Sequence, residues 1–289
     1  MSSEHQVYVE RKIPRNHYQI YAHDYPGKDP AFVLMHGFPD NLHIYDYLAP
    51  LLARSGNRVV AFDFLGYGES DKPTDYDYTA ENMEGDLDAV VNELKLDPVI
   101  PVGHDISGPT AINWGLDHQE RVARTILLNS VYDSAPTLKT PEFIVLFGDP
   151  ALSKLADAFQ NSPAQFQWLL QFTGNQFMQN APPELRERGK ILEQIVGEQF
   201  ASQPSVFPAF RGWARDVHSS IPRNDKRITE LASFDKPVSI IWGASDPYLD
   251  RGVAEHMHGL FPRSTLRLLP YGHWLQIDGP EKVAAAMLG

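Results

Sequence analysis

A short apolar run that ends in an aspartate flanked by small residues constrains the fold of this chain more than any other feature. Val99, Ile100 and Val102 are apolar and β-branched, which is typical of a buried strand in a parallel sheet. Residues 103–108 then read Gly-His-Asp-Ile-Ser-Gly, the G-x-S-x-G pattern of a sharp strand-to-helix turn with Asp105 in the place of the serine. We expect the Asp105 side chain at the apex of this turn. An ordinary turn, with Asp105 as the helix N-cap, fits the same residues.

The rest of the chain alternates predicted strands with predicted helices. Each strand is a short apolar run bounded by turn residues, and the helices carry apolar residues at helical spacing. Such alternation predicts a mostly parallel, doubly wound α/β sheet. An antiparallel edge pair is expected over 7–24 with its turn at 13–16, buried strands at 31–35, 58–63, 99–102, 123–130, 236–243 and 265–269, and helices at 45–53, 79–94 and 283–288.

The composition limits the class of protein. A chain of 289 residues with 43% hydrophobic residues can bury a large core, and its length allows one domain with an inserted subdomain. The net charge of −12 argues against a nucleic-acid partner, which requires a basic surface. The absence of cysteine excludes disulfides and zinc–thiolate sites. Since there is no signal-like N-terminus and no apolar span of about 18 residues, we expect a cytoplasmic protein without a membrane partner.

The character of the sequence changes after Tyr132. No strand is predicted in the segment that follows, and many prolines divide it into short pieces. Helices are expected there at 146–159, 164–172 and 183–200. We interpret the segment as a helical cap inserted into the sheet domain, which gives a core domain of residues 1–132 and 233–289 and a cap domain of residues 133–232.

Two loops that follow late strands carry titratable side chains. Asp246 comes soon after the strand predicted at 236–243, and His273 follows the strand predicted at 265–269. Ligand and catalytic groups of open α/β sheets lie beyond the carboxyl ends of the strands. Asp105, Asp246 and His273 are therefore expected to meet at this edge of the sheet, in the chain order nucleophile, acid, histidine.

These motifs, in this order, resemble those of the α/β-hydrolases over nearly the whole chain. The matching residues are the loop His36-Gly37-Phe38-Pro39, the elbow around Asp105, and the residues Asp246 and His273. An aspartate in the elbow is similar to the branch that contains haloalkane dehalogenases, haloacetate dehalogenases and epoxide hydrolases. Residues 42–44 and 63–73 resemble the dehalogenases in particular.

The resemblance implies a two-step hydrolysis. The Asp105 carboxylate would attack an electrophilic sp³ carbon and form a covalent ester. His273, oriented by Asp246, would then act as general base on the water that hydrolyses the ester. The backbone N–H groups of Phe38 and Ile106 would bind the oxyanion, each contributing about 3 to 4 kcal/mol. This chemistry needs no metal or organic cofactor.

Some assignments stay open at this level. Ser107 lies two residues past the apex and would be the nucleophile of a serine hydrolase, although its slot in the turn requires a small residue. Asp133, which follows another strand, is an alternative acid partner for His273, and we favour Asp246. His36 and His104 lie near the site in sequence, where packing in the loops is the simpler role.

The residues that stabilise the leaving group in the three enzyme families that this sequence resembles are missing at the matching positions. Haloalkane dehalogenases usually have tryptophan where Ile106 stands, haloacetate dehalogenases have arginines where residues 107–113 have none, and epoxide hydrolases use cap tyrosines. No tyrosine occurs between residues 133 and 247. An alkoxide needs a proton or strong hydrogen bonds whereas a halide leaves as a stable anion, so the missing tyrosines weigh against an epoxide substrate.

The cap offers other candidates. The indole N–H groups of Trp168 and Trp213 can bind a halide, and His218 can replace a tyrosine, although tryptophans in such a segment also serve as core. The phenylalanines available to line an apolar cavity are Phe143, Phe147, Phe166, Phe172 and Phe177. We expect hydrolytic dehalogenation of a small or medium apolar haloalkane to an alcohol, with water as co-substrate. Epoxide hydrolysis to a diol and a non-catalytic receptor or scaffold with this fold are the alternatives.

Overall fold

An eight-stranded, mostly parallel sheet forms the centre of the computed structural model, which describes residues 8–178 and 193–289. The strand order is β1-β2-β4-β3-β5-β6-β7-β8. The strands are β1 Val9–Arg15, β2 Tyr18–Tyr25, β3 Lys28–Met35, β4 Asn57–Phe62, β5 Val99–Asp105, β6 Thr125–Ser130, β7 Val238–Gly243 and β8 Ser264–Leu269. The expected α/β fold is confirmed.

One strand near the β1 edge of the sheet runs in the opposite direction to the others. Strand β2 runs antiparallel to both of its neighbours, β1 and β4, and the other neighbouring strands are parallel. The turn between β1 and β2 lies at residues 16–17, where Asn16 has φ of 56°, so it overlaps the turn expected at 13–16 only at Asn16. Pro14 is instead paired inside β1, because an edge strand tolerates a residue without a backbone N–H.

Helices cover both faces of the sheet. They are α1 Ala49–Arg54, α2 Ala80–Glu93, α3 Ser107–Asp117, α4 Glu142–Gly148, α5 Ser153–Gln160, α6 Pro163–Met178, α7 Glu198–Ala201, α8 Phe207–Asp225, α9 Ile228–Leu231, α10 Arg251–Leu260, α11 Leu275–Asp278 and α12 Pro280–Leu288. Short 3₁₀ helices lie at Leu42–Tyr45, Gln119–Arg121 and Pro150–Leu152, and a π-helical turn at Glu193–Gly197. Within the described ranges, no helix is both long and apolar enough to cross a membrane.

The central strands β3 to β7 are mostly buried on both faces of the sheet, which explains their unbroken apolar runs. In β3, Ala31, Val33 and Met35 pack with the apolar residues of α2 and α3, whereas Phe32 and Leu34 pack with those of α1 and α12. Because both faces are covered, successive residues are apolar and do not alternate with polar ones. The edge strands β1 and β8 are only partly covered.

The described residues between β6 and β7 form helices joined by turns and irregular stretches, with no strand among them. The helix expected at 146–159 is divided, since α4 ends at Gly148 and α5 begins at Ser153. The 19-residue helix α8 was not expected, because it contains Pro208 and Pro222. Of the helix expected at 183–200, residues 183–192 lie outside the described residues. The boundaries of the cap domain at 133 and 232 stay a prediction.

Candidate active site

The turn from β5 to α3 holds Asp105 in a left-handed backbone conformation, with φ of 54°. Two glycines allow the helix to approach the sheet closely at this point. A Cβ atom on Gly103 would lie 2.6 Å from the Cα atom of Gly108, and one on Gly108 would lie 1.7 Å from Oγ of Ser130. The small residues of the motif are therefore required by packing, and they present Asp105 beyond the end of its strand.

The Asp105 carboxylate is 9% exposed and is bound by backbone amides. Its Oδ2 atom accepts a hydrogen bond of 2.9 Å from the N–H of Phe38. Burial raises the pKa of Asp105, while the nearby His273 and the amides of Phe38 and Ile106 lower it. Position 37 in the loop that carries Phe38 requires glycine, because a Cβ atom there would lie 2.6 Å from the Cβ of Asp105. The backbone N–H groups of Phe38 and Ile106, which were expected to bind the oxyanion, thus both face the carboxylate of Asp105.

His273 is tied to Asp246. The Nδ1–H of His273 donates to Oδ2 of Asp246 at 2.6 Å, and both side chains are buried. The other oxygen of Asp246 accepts the N–H groups of Tyr248 and Leu249 at 2.9 and 3.0 Å. Burial lowers the pKa of His273, but Asp246 and the charge of Asp105 outweigh it and raise the pKa to about 9. This arrangement fixes the ring and favours its charged form.

Asn129 is a part of the site that the sequence analysis missed. It lies in β6 with φ of 31°, and its Nδ2 donates to Oδ2 of Asp246 at 2.9 Å. The same side chain pairs with both backbone groups of Gly243, at 2.6 Å to the N–H and 3.2 Å to the carbonyl. Asn129 thus holds the start of the Asp246 loop against the neighbouring strand. An asparagine ending an apolar strand was the only signal for it in the sequence.

A cavity with about 40 Å³ of space lies beside Asp105 and His273. That space equals about three water-sized volumes, which suits a small molecule. Three polar residues in its lining were not expected: Thr140, Lys139, which is exposed, and Tyr248, whose OH donates to Glu142 at 2.6 Å. The remaining lining residues are Ile106, Val131, Leu138, Pro141, Ile144, Phe177, Val217, Ile221 and Leu249.

The three expected leaving-group residues are not among those that line this cavity with Asp105. Trp168 is 58% exposed and stacks on Phe172 at the surface. His218 is also exposed, and its ring lies against Gly148. Trp213 is buried, and its ring packs against Phe38, at 6.1 Å between centroids. These positions follow from how the helices pack, which the residue types alone do not specify.

Of the phenylalanines expected to line the cavity, Phe177 does so, and its ring lies 4.9 Å from that of His273. Phe143, Phe147 and Phe166 form an aromatic cluster with Phe210 instead. Three of the five phenylalanines therefore serve as core, and Phe177 reaches the site.

The alternatives left open by the sequence have other partners. Asp133 lies 2.7 Å from Nε2 of His256, so His273 pairs with Asp246 and not with Asp133. The hydroxyl of Ser107 is fully buried and bonds the backbone of His104. In the chain outside residues 1–7 and 179–192, no three acidic or histidine side chains are grouped to share a metal ion.

The comparison with known proteins agrees with this geometry. The sequence pattern of the alpha/beta hydrolase fold family matches residues 30–280. The chain belongs to this family. It is related at low sequence identity to epoxide hydrolases and haloalkane dehalogenases.

Two relatives and one solved structure illustrate the similarity. The chain is 28% identical to the bifunctional epoxide hydrolase 2 of Sus scrofa over 89% of its length, and it spans about half of that relative, 50%. It is 26% identical to haloalkane dehalogenase 2 of Mycobacterium bovis, covering 91% of this chain and 88% of the relative. An esterase from Exiguobacterium antarcticum shares the fold, with a TM-score of 0.75, 23% identity, and coverage of 97% of this chain and 98% of the esterase.

Proposed function

We propose that this protein hydrolyses small apolar haloalkanes through a covalent ester on Asp105, with His273 as general base and Asp246 as its acid partner. One observation carries the proposal: Asp105 and His273 line the same cavity, while His273 is held by Asp246 at 2.6 Å. A carboxylate nucleophile, a base and an acid that orients the base are the three groups this chemistry requires.

The first step is a displacement at carbon. An oxygen of the Asp105 carboxylate forms a bond to the sp³ carbon, and the carbon–halogen bond breaks so that the halide leaves with the electron pair. The mostly apolar lining, which includes Ile144, Phe177 and Leu249, supports an uncharged halocarbon as the substrate. It also excludes water from the carboxylate, which makes the nucleophile more reactive.

The second step is hydrolysis of the ester. Forming the ester removes the negative charge of Asp105, one of the charges that raise the pKa of His273, so the imidazole then loses its proton more readily. His273 takes a proton from water, the hydroxide attacks the ester carbonyl, and the amides of Phe38 and Ile106 bind the oxyanion. The tetrahedral intermediate collapses, the alcohol leaves with the proton from His273, and the restored acid of Asp105 ionises.

Epoxide hydrolysis is the second candidate function, and Tyr248 favours it. A tyrosine from the loop of Asp246, outside the segment expected to form the cap, lines the cavity beside Asp105 and supplies a hydroxyl near the leaving group. The name of the Sus scrofa relative points the same way. Against it, the Tyr248 hydroxyl is already engaged with Glu142, and burial raises its pKa, which makes it a weak acid.

The test is the intact mass of His273→Gln after exposure to bromoalkanes, haloacetates and epoxides. Without its base the ester accumulates, so an added alkyl group on Asp105 is expected, and an added hydroxyalkyl group would establish the epoxide reaction instead. The double variant with Asp105→Asn should form no adduct, whereas addition of Ser107→Ala should leave adduct formation intact. Turnover by the wild-type protein without any adduct on Asp105 in these variants contradicts the proposal.

A further inference from the structure

Asp40 is a fully buried carboxyl group next to the site, and neither proposed step uses it. It follows Pro39 in the loop whose Phe38 amide binds Asp105. Its Oδ2 accepts a hydrogen bond of 3.0 Å from the indole N–H of Trp274. Its Oδ1 has no hydrogen-bond partner within residues 8–178 and 193–289. A buried ionised carboxylate with an unsatisfied oxygen is costly, so this site favours a neutral group.

His104 presents a second unpartnered atom to Asp40. Its Nε2 lies 3.1 Å from the backbone carbonyl of His273, which only accepts, so Nε2 carries the hydrogen. Burial lowers the pKa of His104, and the ring is neutral with a bare Nδ1. This Nδ1 lies 3.8 Å from Oδ2 of Asp40 and has no hydrogen-bond partner in the described part of the chain.

Among the described residues, Asp40 and His104 both present acceptor atoms without a donor, so one additional proton is needed between the two side chains. An ionised Asp40 would place two acceptors, its own oxygen and Nδ1 of His104, against each other with no hydrogen between them. A neutral Asp40 supplies the missing hydrogen, since its carboxylic acid can donate to Nδ1 while its oxygens still accept from Trp274. The position matters for the reaction, because the rings of His104 and His273 lie 4.7 Å apart.

The same cluster also faces the proposed nucleophile. A Cβ built on Gly37 would lie 3.0 Å from both Oδ2 of Asp105 and Nδ1 of His104. Nδ1 of His104 and the carboxylate of Asp105 therefore both lie next to Gly37. A change in the Asp40–His104 contact is transmitted directly to the backbone of His273 and to the neighbourhood of Asp105.

The charged and titratable groups around Asp40 decide its protonation. Burial raises its pKa to about 7, the positive charge of His273 opposes this rise, and the charge of Asp105 adds to it. The phenols of Tyr45 and Tyr67, from the segments packed against it, are also buried and have raised pKa values. An ionised Asp40 would join Asp105 and Asp246 in raising the pKa of the single imidazole of His273.

We propose that Asp40 is a positioning residue that works as a neutral carboxylic acid. Its O–H is directed toward Nδ1 of His104 across the 3.8 Å between the two groups, and Nε2 of His104 in turn donates to the backbone carbonyl of His273. Because it carries no charge, it leaves His273 able to give up its proton during ester hydrolysis, a consequence that rests on the proposed function. Ionisation of Asp40 at alkaline pH breaks the contact and keeps His273 protonated.

The protonation state is measured directly and without a substrate. Wild-type protein carrying ¹³C in its aspartate carboxyl groups is titrated by NMR, and the Asp40 signal is assigned by its loss in Asp40→Asn. A midpoint near 7 is expected for Asp40. A carboxylate that stays ionised down to about pH 5, near its ordinary range, would overturn the proposal whatever the reaction of the protein. Nitrogen-15 labelling of histidine should show His104 as the Nε2–H form throughout.

The functional consequence is measured as the rate of ester hydrolysis in single turnovers. Asp40→Leu keeps the branched shape of the side chain but removes its hydrogen bonds, and it should slow this step about tenfold to a hundredfold, because a small displacement of a base is costly. Asp40→Asn, which mimics the neutral acid, should restore most of that rate and hold it above pH 8, where the wild-type rate falls as Asp40 ionises.

Two controls make the result unambiguous. Thermal unfolding and the rate of adduct formation in a His273→Gln background show whether each Asp40 variant keeps the fold and the first step. Equal loss in Asp40→Asn and Asp40→Leu would show that the carboxylate charge is needed and would overturn the proposal. Equal rates in Asp40→Leu and wild-type protein would also overturn it.

Discussion

The Nδ2 atom of Asn129 lies 2.9 Å from Oδ2 of Asp246, the same oxygen that binds Nδ1 of His273. Two N–H donors therefore converge on one carboxylate oxygen, and the other oxygen is held by two backbone amides. The acid is fixed by strand β6 as well as by its own loop. The carboxyl group of Asp246, held in place by these hydrogen bonds, keeps the imidazole of His273 in one tautomer and orientation.

Loss of the Asn129 side chain should weaken the site and the fold together. Asn129→Ala removes the bond to Asp246 and the bonds to both backbone groups of Gly243, whose carbonyl keeps the N–H of Asp246, so we expect a loss of about 1–3 kcal/mol in the free energy of unfolding. Urea denaturation and single-turnover ester hydrolysis measure the two effects. Asn92→Ala, at an exposed position of helix α2, is the control and should change neither. Wild-type stability and rate in Asn129→Ala would refute this role.

The choice of Asp246 over Asp133 predicts very different effects for two similar substitutions. Asp246→Asn removes the acceptor that fixes His273 and should slow ester hydrolysis by up to about 10⁴-fold, as in a triad with the wrong tautomer. Asp133→Asn, which changes only the contact with His256, should leave the rate within about twofold of wild type. Single-turnover kinetics on matched preparations compare the two, and a larger loss for Asp133→Asn would reverse the assignment.

The close approach of helix α3 to strand β6 predicts a glycine requirement. Gly108→Ala would place a methyl group 1.7 Å from Oγ of Ser130, so the helix or strand must move, and we expect a loss of about 1–3 kcal/mol in unfolding free energy. Gly259→Ala, in helix α10 with open space around it, should instead stabilise the protein by up to about 1 kcal/mol. Denaturant midpoints measure both, and equal destabilisation by the two variants would contradict the packing argument.

The raised pKa of His273 predicts how stability depends on pH. Its pKa rises from the ordinary value of 6.5 to about 9 on folding. The contribution of His273 to stability is then fully present below pH 6.5 and is lost as the pH rises through 9. The difference in unfolding free energy between wild type and His273→Gln should therefore shrink by about 3 kcal/mol between pH 6 and pH 10. A difference that grows with pH would show that the imidazole is neutral in the folded protein.

The local features of the fold and site could be predicted from the sequence. Short apolar runs between turn residues predict buried strands, because only strands covered on both faces lack polar alternation. The glycine-flanked Asp105 predicts its turn, because only small residues let a helix start so close to a strand. The common edge of the sheet then brings Asp105 and His273 together without any knowledge of the helices.

The contacts made by the helices could not be predicted in the same way. Helix α8 carries Pro208 in its first turn, where proline is tolerated, but it also runs past Pro222, which would normally end it, since packing along its apolar face offsets the local cost. Trp168 and Trp213 have the same side chain, yet one is exposed and the other is buried beside Phe38. Which face of a helix meets the core depends on its rotation and crossing with neighbours, and single residues do not carry that information.

By itself, the sequence of this protein determined the sheet, the turn at Asp105 and the order of the polar loops, because these depend on short-range sterics and on strand burial. Only the tertiary structure decided that Asp246 and not Asp133 holds His273, that Asn129 supports Asp246, and that Tyr248 and Lys139 line the cavity. Hydrogen bonds between distant segments require distances of about 3 Å, and such distances are set by the packing of the whole chain.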